Sequence, residues 1–413
     1  MMENRLYWCW LQQALHCGAR VDEAIAAFGS PRSVYEASEY ERRISGAFTV
    51  KQIERLSDTP LHQAQEILRT CDKYAVHTVT PDDPCYPARL RELPDFPCVL
   101  YVRGDPGVLG EELSLAVVGT RQATEYAAGA ARALAGALAR SGMVIVSGGA
   151  LGIDSAAHRA AIDAGGRTIC YMGCGFGVHY LMTNSPLRRE ISEHGALVSE
   201  FPPGTPAGKS TFPIRNRLIA GSSLGTLVIE AGVRSGSLIT AKCAREMGRD
   251  VFAVPGNILT STFEGANQLI RDGAKPVFSA RDILEEYEAR FPGQLDPAAA
   301  DLPLPPAASP EENPMQQHSR GRKKTALRGD TATQAHEFPD ASHGTGTVRP
   351  LPADASPEQR LIHEAVLHTP LRADEIAQRT GIPVRDLLRV LTQLEVMGYI
   401  VQQQGKRYLA VKE

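Results

Sequence analysis

Residues able to grip a polyanion gather in the middle of the chain. The run Lys209-Ser210-Thr211-Phe212-Pro213-Ile214-Arg215-Asn216-Arg217 sets three cations around one aromatic ring. Lysine and two arginines suit successive phosphates, Asn216 can read a base edge or brace a loop, and Phe212 can stack on an unpaired base. Basic and aromatic residues interleaved in this way are the pattern of single-strand binding. The competing account puts Phe212 in the core and pairs Arg215 or Arg217 with a carboxylate such as Glu230. Two glycine turns add backbone donors: Gly119-Thr120-Arg121, and Ser147-Gly148-Gly149-Ala150-Leu151-Gly152-Ile153-Asp154. Each follows an apolar run and opens into a helical pattern, where free amides and the helix dipole attract phosphate.

No catalytic set assembles from the remaining residues. Glu230, behind Gly225-Thr226-Leu227-Val228-Ile229, is either a catalyst or an orienter of Arg217. Asp154 and His158 lie four apart on one helical turn, close enough to pair, yet no nucleophile, base and orienting group come together. The eight cysteines form no Cys-x-x-Cys pair, so neither a metal cluster nor a disulfide framework is expected. The dinucleotide fingerprint is missing from the first turn, and Gly173-Cys174-Gly175-Phe176-Gly177 follows the third strand instead. A hydride-transferring enzyme is therefore disfavoured, and no catalytic residue, metal or cofactor is expected.

These groups must be positioned by ordered elements, and 413 residues suffice for two or three domains. From Leu113 onward β-branched runs alternate with glycine turns and alanine-rich helical stretches. Strands are expected at Leu115 to Val118, Met143 to Val146, Arg167 to Tyr171, Ala196 to Val198, Thr226 to Ile229, Asp250 to Val254 and Lys275 to Phe278. Helices are expected at Glu125 to Arg140, Ile153 to Ala164, Ser185 to His194, Ile214 to Ala220, Leu238 to Met247 and Ala266 to Arg271. Such alternation predicts an α/β, Rossmann-like parallel sheet over 113–290. Before it, 1–75 reads as a small helical module of the SAM or helix-hairpin-helix kind, and 76–112 as a proline-rich connection with one strand. Residues 291–355 read as a disordered linker carrying a basic cluster (Arg320, Arg322, Lys323, Lys324). Residues 356–413 read as a winged helix whose third helix, Val384 to Val396, suits a major groove. Its cations Arg385, Arg389, Lys406 and Arg407 are nearly cancelled by Asp374, Glu375, Asp386 and Glu395, which leaves duplex DNA and protein as equal candidates.

Net charge is −3, so a polyanion must be held by a local cluster rather than by the whole protein. No apolar run is long enough to span a bilayer and the first residues lack a secretion signal, so a cytoplasmic location and no membrane contact are expected.

Several motifs in order resemble the DprA/Smf family of DNA-processing proteins. They are Gly119-Thr120-Arg121, Ser147-Gly148 with Gly152-Ile153-Asp154 and Ala157-His158, Phe212-Pro213 with Arg215-Asn216-Arg217, and Glu230-Ala231-Gly232 with Ser235-Gly236-Ser237-Leu238-Ile239-Thr240. Val254-Pro255-Gly256 and Gly265-Ala266-Asn267-Gln268-Leu269-Ile270 with Gly273-Ala274 extend the match, which covers about 80 to 278. The resemblance implies a cytosolic homodimer that binds single-stranded DNA without strong sequence preference, loads RecA onto it and protects incoming strands during natural transformation. It implies that Arg121 and Lys209 hold phosphates and that Gly119, Thr120, Ser147 and Gly148 supply backbone or hydroxyl donors. It further implies a strand pocket of Phe212, Arg215, Asn216 and Arg217, and a dimer face near Asn267 to Gly273 with Leu269 and Ile270 as apolar anchors. Tyr180-Leu181 departs from the family's usual Tyr-Pro, which bears on the shape of the loop from Gly173 to Asn184. The sheet also resembles nucleotide N-glycosidases of the lysine-decarboxylase-like group, with Gly225-Thr226 as phosphate loop and Glu230 as catalyst. Ser222-Ser223-Leu224 stands where that group has paired glycines.

Overall fold

The computed structural model describes residues 2–178, 181–301, 351–352, 355–367, 369–383, 387, 390–391, 393–395, 399–403 and 407–410. Cα packing divides the chain into two units, Met1–His318 and Ser319–Glu413. The first unit opens with six helices, α1 (Met2–Leu15), α2 (Asp22–Phe28), α3 (Pro31–Glu36), α4 (Glu39–Ile44), α5 (Val50–Asp58) and α6 (Leu61–Lys73). Ser38 with Glu41 and Thr49 with Gln52 form capping boxes that start α4 and α5, each satisfying orphan amides at a helix start. These helices do not stand apart as a separate module. Trp8, Trp10 and Leu11 of α1 belong to the same buried core as Leu100, Tyr101 and Val198 of the sheet. Buried Gln12 fastens the union by donating to the carbonyls of Val99 (3.1 Å) and Glu200 (3.0 Å).

Next come β1 (His77–Val79), α7 (Ala88–Arg91) and β2 (Leu100–Gly104), then the alternating series β3 (Ser114–Val118), α8 (Glu125–Arg140), β4 (Val144–Ser147), α9 (Ile153–Asp163), β5 (Thr168–Tyr171), α10 (Ser185–Glu193) and β6 (Gly195–Ser199). After it follow α11 (Thr211–Ser222), β7 (Gly225–Val228), α12 (Ser237–Glu246), β8 (Asp250–Ala253), α13 (Glu264–Arg271), β9 (Lys275–Pro276) and α14 (Arg281–Glu288). The sheet order is β1-β2-β6-β5-β4-β3-β7-β8-β9. β1 and β2 run antiparallel at one edge, and from β6 to β9 neighbouring strands are parallel. Every residue of β3, β4, β5, β6 and β7 is buried, as continuous apolar strands covered on both faces require.

The direction of winding decides where a ligand fits. From β3 the chain winds outward through β4 and β5 to β6, then returns to lay β7 against the other side of β3. The reversal lies between β3 and β7, and the crevice beyond their carboxyl ends is where open α/β sheets bind ligands. Alanines on α8 and α9 let these two helices pack closely beside it. α8 begins at Thr124, whose Oγ1 accepts from the Ala127 amide at 3.2 Å.

A linker beginning at 291 does not describe the first residues of that stretch. Phe291 is buried, the Asp296 amide donates to the Ser141 carbonyl at 3.1 Å, and Arg140 Nε donates to the Ala299 carbonyl at 3.1 Å. Residues 302–350, with the cluster Arg320, Arg322, Lys323 and Lys324, lie outside the described residues.

In the second unit, α15 (Pro357–Ala365), β10 (Leu371–Arg372), α16 (Ala373–Thr380), β11 (Ile400–Gln403) and β12 (Arg407–Ala410) surround a core of Ile362, Val366, Ile376, Leu387, Leu391 and Ile400. β12 lies centrally in the order β10-β12-β11. These elements are those expected of a winged helix on either side of its third helix; of that expected helix, Val384, Arg385, Asp386, Arg389 and Val396 lie outside the described residues, as does Lys406. No helix among the described residues is long and apolar enough to cross a membrane.

Candidate nucleic-acid interface

A cleft of about 380 Å³ opens beyond β3 and β7, lined in part by Gly119, Thr120, Arg121, Lys209, Phe212, Arg215 and Asn216. The loop after β3 supplies one wall and the first turns of α11 supply the other. Phe212 is half-buried and its ring has two guanidinium neighbours. Arg121 Cζ lies 5.5 Å and Arg215 Cζ 5.8 Å from the ring centroid, within cation–π range. Gly173 makes room for the ring, since a Cβ there would stand 2.6 Å from Phe212 Cδ1. Arg121 and Lys209 are exposed, and neither is within ion-pair distance of a carboxylate among the described residues.

The three polar residues of α11 divide their tasks by burial. Arg215 is buried and donates to the carbonyls of Gly148 (2.7 Å) and Tyr171, while its Nε donates to Asn216 Oδ1 at 3.1 Å. It is both a wall of the cleft and a brace between the ends of β4 and β5. Asn216 lines the cleft and also donates to the Gly236 carbonyl at 3.4 Å. Arg217 does not reach the cleft. It is buried on the far side of α11, where Nη2 donates to Glu200 Oε1 (2.7 Å) and Oε2 (2.8 Å) and Nε lies 3.1 Å from Asp95 Oδ2. Its place in a strand pocket is thus corrected: helical periodicity turns residue 217 away from the face that carries 212 and 216.

Other residues of the expected set sit behind the surface. The Ser147 hydroxyl donates to the Val117 carbonyl at 2.6 Å and is fully buried, so it offers nothing to a ligand. Gly148 lies beneath Arg215, whose Nη1 would be 2.7 Å from a Cβ placed there. The Thr120 amide is spent on the Glu230 carbonyl at 2.8 Å, leaving its side chain to face the cleft. Gly119 packs against Ile153, 2.6 Å from an added Cβ, which explains a glycine at this point of close approach.

Glu230 is wholly buried and does not line the cleft. Its Oε2 accepts from the Thr124 amide (2.9 Å) and from Thr124 Oγ1 (3.2 Å), so the carboxylate holds the start of α8. Asp154 and His158 do not pair with each other. Asp154 accepts from the Ala150 amide at 3.3 Å, and burial raises its carboxyl above the usual range while Arg215 opposes that shift. His158 Nδ1 meets Thr168 Oγ1 at 2.7 Å, and the imidazole is held neutral by burial and by Arg215, its pKa pulled down to about 3.

A wall that the basic run gave no reason to expect is the hydroxyl-bearing segment Ser235-Gly236-Ser237 with Thr240 at the start of α12. Its signal was present as a glycine turn with spaced hydroxyls opening a helix. On α13 the expected anchors are not free. Leu269 is 9% exposed and packs into the core, and the Asn267 amide bridges both backbone groups of Gly256 at 3.1 Å; Ile270 is half-buried. The large exposed apolar residues nearby are Ile258 and Leu259, at 84% and 89%. At Leu181 φ is +45°, a value closed to proline, so the loop takes a shape that the usual Tyr-Pro does not allow. Tyr180 itself lies outside the described residues.

Comparison with known proteins agrees with this architecture. The family model for DNA recombination-mediator protein A matches residues 77–288, and that for the DprA winged helix domain matches 347–406. Protein Smf of Synechocystis sp. is 34% identical over 339 residues, 80% of this chain and 79% of that one. The DNA processing protein DprA of Bacillus subtilis is 41% identical over 224 residues, 54% of this chain and 75% of its own. The X-ray structure of DprA from Streptococcus pneumoniae superposes with a TM-score of 0.58 at 35% identity, covering 67% of this chain and 95% of that one. With the matched family model spanning the whole sheet and its cleft, the chain belongs to the DNA recombination-mediator protein A family.

Proposed function

We propose that the cleft between β3 and β7 binds single-stranded DNA with little sequence preference, and that the protein works as a recombination mediator in natural transformation, delivering the strand to RecA. One observation carries the reading. Arg121 and Lys209, exposed and without carboxylate partners among the described residues, stand at the cleft that also holds the half-buried ring of Phe212. Free cations serve phosphates, and an aromatic face serves any unpaired base. Membership in a family of recombination mediators supports the hand-over to RecA. Glu230 supports a role without catalytic turnover, because its carboxylate is committed to Thr124 and closed off from the cleft.

In this reading the homodimer uses the surface beside α13, where Ile258 and Leu259 with Asn267 and Arg271 line a hollow of about 320 Å³. The winged helix adds a contact to duplex DNA or to a protein. The cytosol is the compartment where such a strand meets RecA, and eight free cysteines suit it.

Fluorescence anisotropy with single- and double-stranded oligonucleotides of one sequence tests the proposal. Single strands are expected to bind tighter. Arg121→Ala or Lys209→Ala is expected to weaken binding by about 1–3 kcal/mol across sequences, and to flatten the salt dependence by about 0.7 per lost phosphate contact. Unchanged affinity in a folded double variant sinks the assignment.

A further inference from the structure

A second basic hollow, of about 400 Å³, lies on the other side of the loop that follows β5. One wall is α10. Its residues Ser185, Arg188, Arg189 and Ser192 follow i, i+3, i+4, i+7 spacing and so share a face, while Leu187 and Ile191 turn into the core. The opposite wall is the post-β5 loop with Phe176, and Arg103 reaches in from β2, its Cζ 4.9 Å from the Phe176 ring centroid.

The charge of this hollow is one-sided. Among the described residues, three arginines line it and no carboxylate does. Of the two α10 carboxylates, Glu190 is drawn off into an ion pair with Arg159 and Glu193 does not line the hollow. Arg188 donates to the Leu181 carbonyl at 2.6 Å, which holds its guanidinium beside the loop, and Arg103 donates to the Tyr74 carbonyl at 3.4 Å, a neutral partner that orients the guanidinium without cancelling its charge. Arg189 is exposed on the helix surface. Guanidinium groups gathered at one hollow are stabilised by an incoming anion, and arginine's planar fork suits phosphate.

The hollow adjoins the first cleft through one loop. Gly173 receives the Phe212 ring on the cleft side, and Phe176 lines the hollow three residues later. At full extension about 10 Å of backbone separates those two loop positions. We infer that the hollow is a second station for the same DNA strand, with Arg188 and Arg189 on its phosphates and the Arg103 guanidinium, stacked on Phe176, as a platform for a base. This rests on the single-strand reading of the first cleft and extends the bound strand across the post-β5 loop.

The test uses the full chain and two oligothymidylates, one of about six nucleotides and one of about twenty, spanning the usual range of site sizes. Arg189→Glu is suited to it because the side chain is exposed. Arg103→Ala removes the platform independently. Each variant is expected to weaken the long oligonucleotide about tenfold and leave the short one, which fills the first cleft, within twofold of wild type. Arg189→Lys is expected to retain binding. Equal affinities of variant and wild type for both lengths overturn the second station. So does an equal loss on both lengths, which makes these residues part of the first cleft or of the fold. Binding of free thymidine monophosphate that Arg189→Glu abolishes, with long-strand affinity unchanged, assigns the hollow to a mononucleotide and also overturns it. Failure of wild type to bind either length, by contrast, removes the single-strand reading itself, and the second station with it.

Discussion

Arg217 and Glu200 meet inside the molecule, with one guanidinium nitrogen donating to both carboxylate oxygens at 2.7 and 2.8 Å. The amide of Gly18, from the segment after α1, donates to the same carboxylate at 3.2 Å. The helix that carries Phe212 and Arg215 is thereby tied to the N-terminal helices through one buried charge pair. Removing one partner leaves the other charged and buried, at a cost of about 3–5 kcal/mol. Arg217→Met is therefore expected to lower the urea midpoint sharply, and Arg217→Met with Glu200→Gln to recover a good part of the loss. A double variant no better than the single one would show that the pair is not the source of the stability.

The ring of Phe212 is expected to act through its face. Phe212→Ala should cost about 1–3 kcal/mol of single-strand affinity, and Phe212→Trp should keep most of it. Titration of labelled oligothymidylate reads both. Equal losses in the two variants would assign the ring to packing alone.

Acid should destabilise the protein through His158. Its partner Thr168 gives its own hydroxyl hydrogen to the Ile145 carbonyl at 2.6 Å, so Nδ1 is the donor to Thr168. The folded pKa is pulled down to about 3, below the ordinary value of 6.5. Between those two values the unfolded chain binds a proton that the folded one refuses, so stability falls as pH drops through 6.5, by up to about 1.4 kcal/mol per unit. His158→Asn should flatten the decline in unfolding free energy between pH 7 and pH 5 by about 2 kcal/mol. Parallel profiles would clear His158 of that role.

Gly152 has φ +79°, and a Cβ there would lie 2.4 Å from the Thr120 carbonyl oxygen. Both the left-handed backbone and the close approach forbid a side chain. Gly152→Ala is expected to cost about 1–3 kcal/mol of stability and to loosen the loop that presents Arg121. Thermal melting and oligonucleotide affinity should fall together.

Ile258→Asp with Leu259→Asp should yield monomers in sedimentation velocity if these exposed residues are the apolar centre of a dimer. An unaltered oligomeric state would move the interface elsewhere.

How far the sequence could be read depended on the reach of each signal. The limits of α8 follow from local chemistry: Thr124 caps it, Glu125 opens it, and Ser141-Gly142 ends it. The periodic pattern in the sequence begins at Ile214, whereas α11 begins at Thr211 and takes Pro213 into its first turn. In a first turn proline lacks only an N–H that has no helical partner. β1 is three residues long and defined by its pairing with β2, and α14 begins at Arg281 behind Ala280, which offers no side-chain cap, so neither carries a strong local mark. At the site, Arg121, Lys209 and Phe212 were legible by type and spacing. The burial of Arg217 was not, because its partners Asp95 and Glu200 are distant in the chain.

Glu230 grips the Thr120 amide with its carbonyl and the Thr124 amide with its carboxylate, so a single residue staples both feet of the hoop on which Arg121 sits. A hoop closed in this way has already surrendered its disorder before DNA arrives, and little entropy is left to lose on capture. Damage at this position would therefore register as weakened grip on the strand, although the glutamate never touches it.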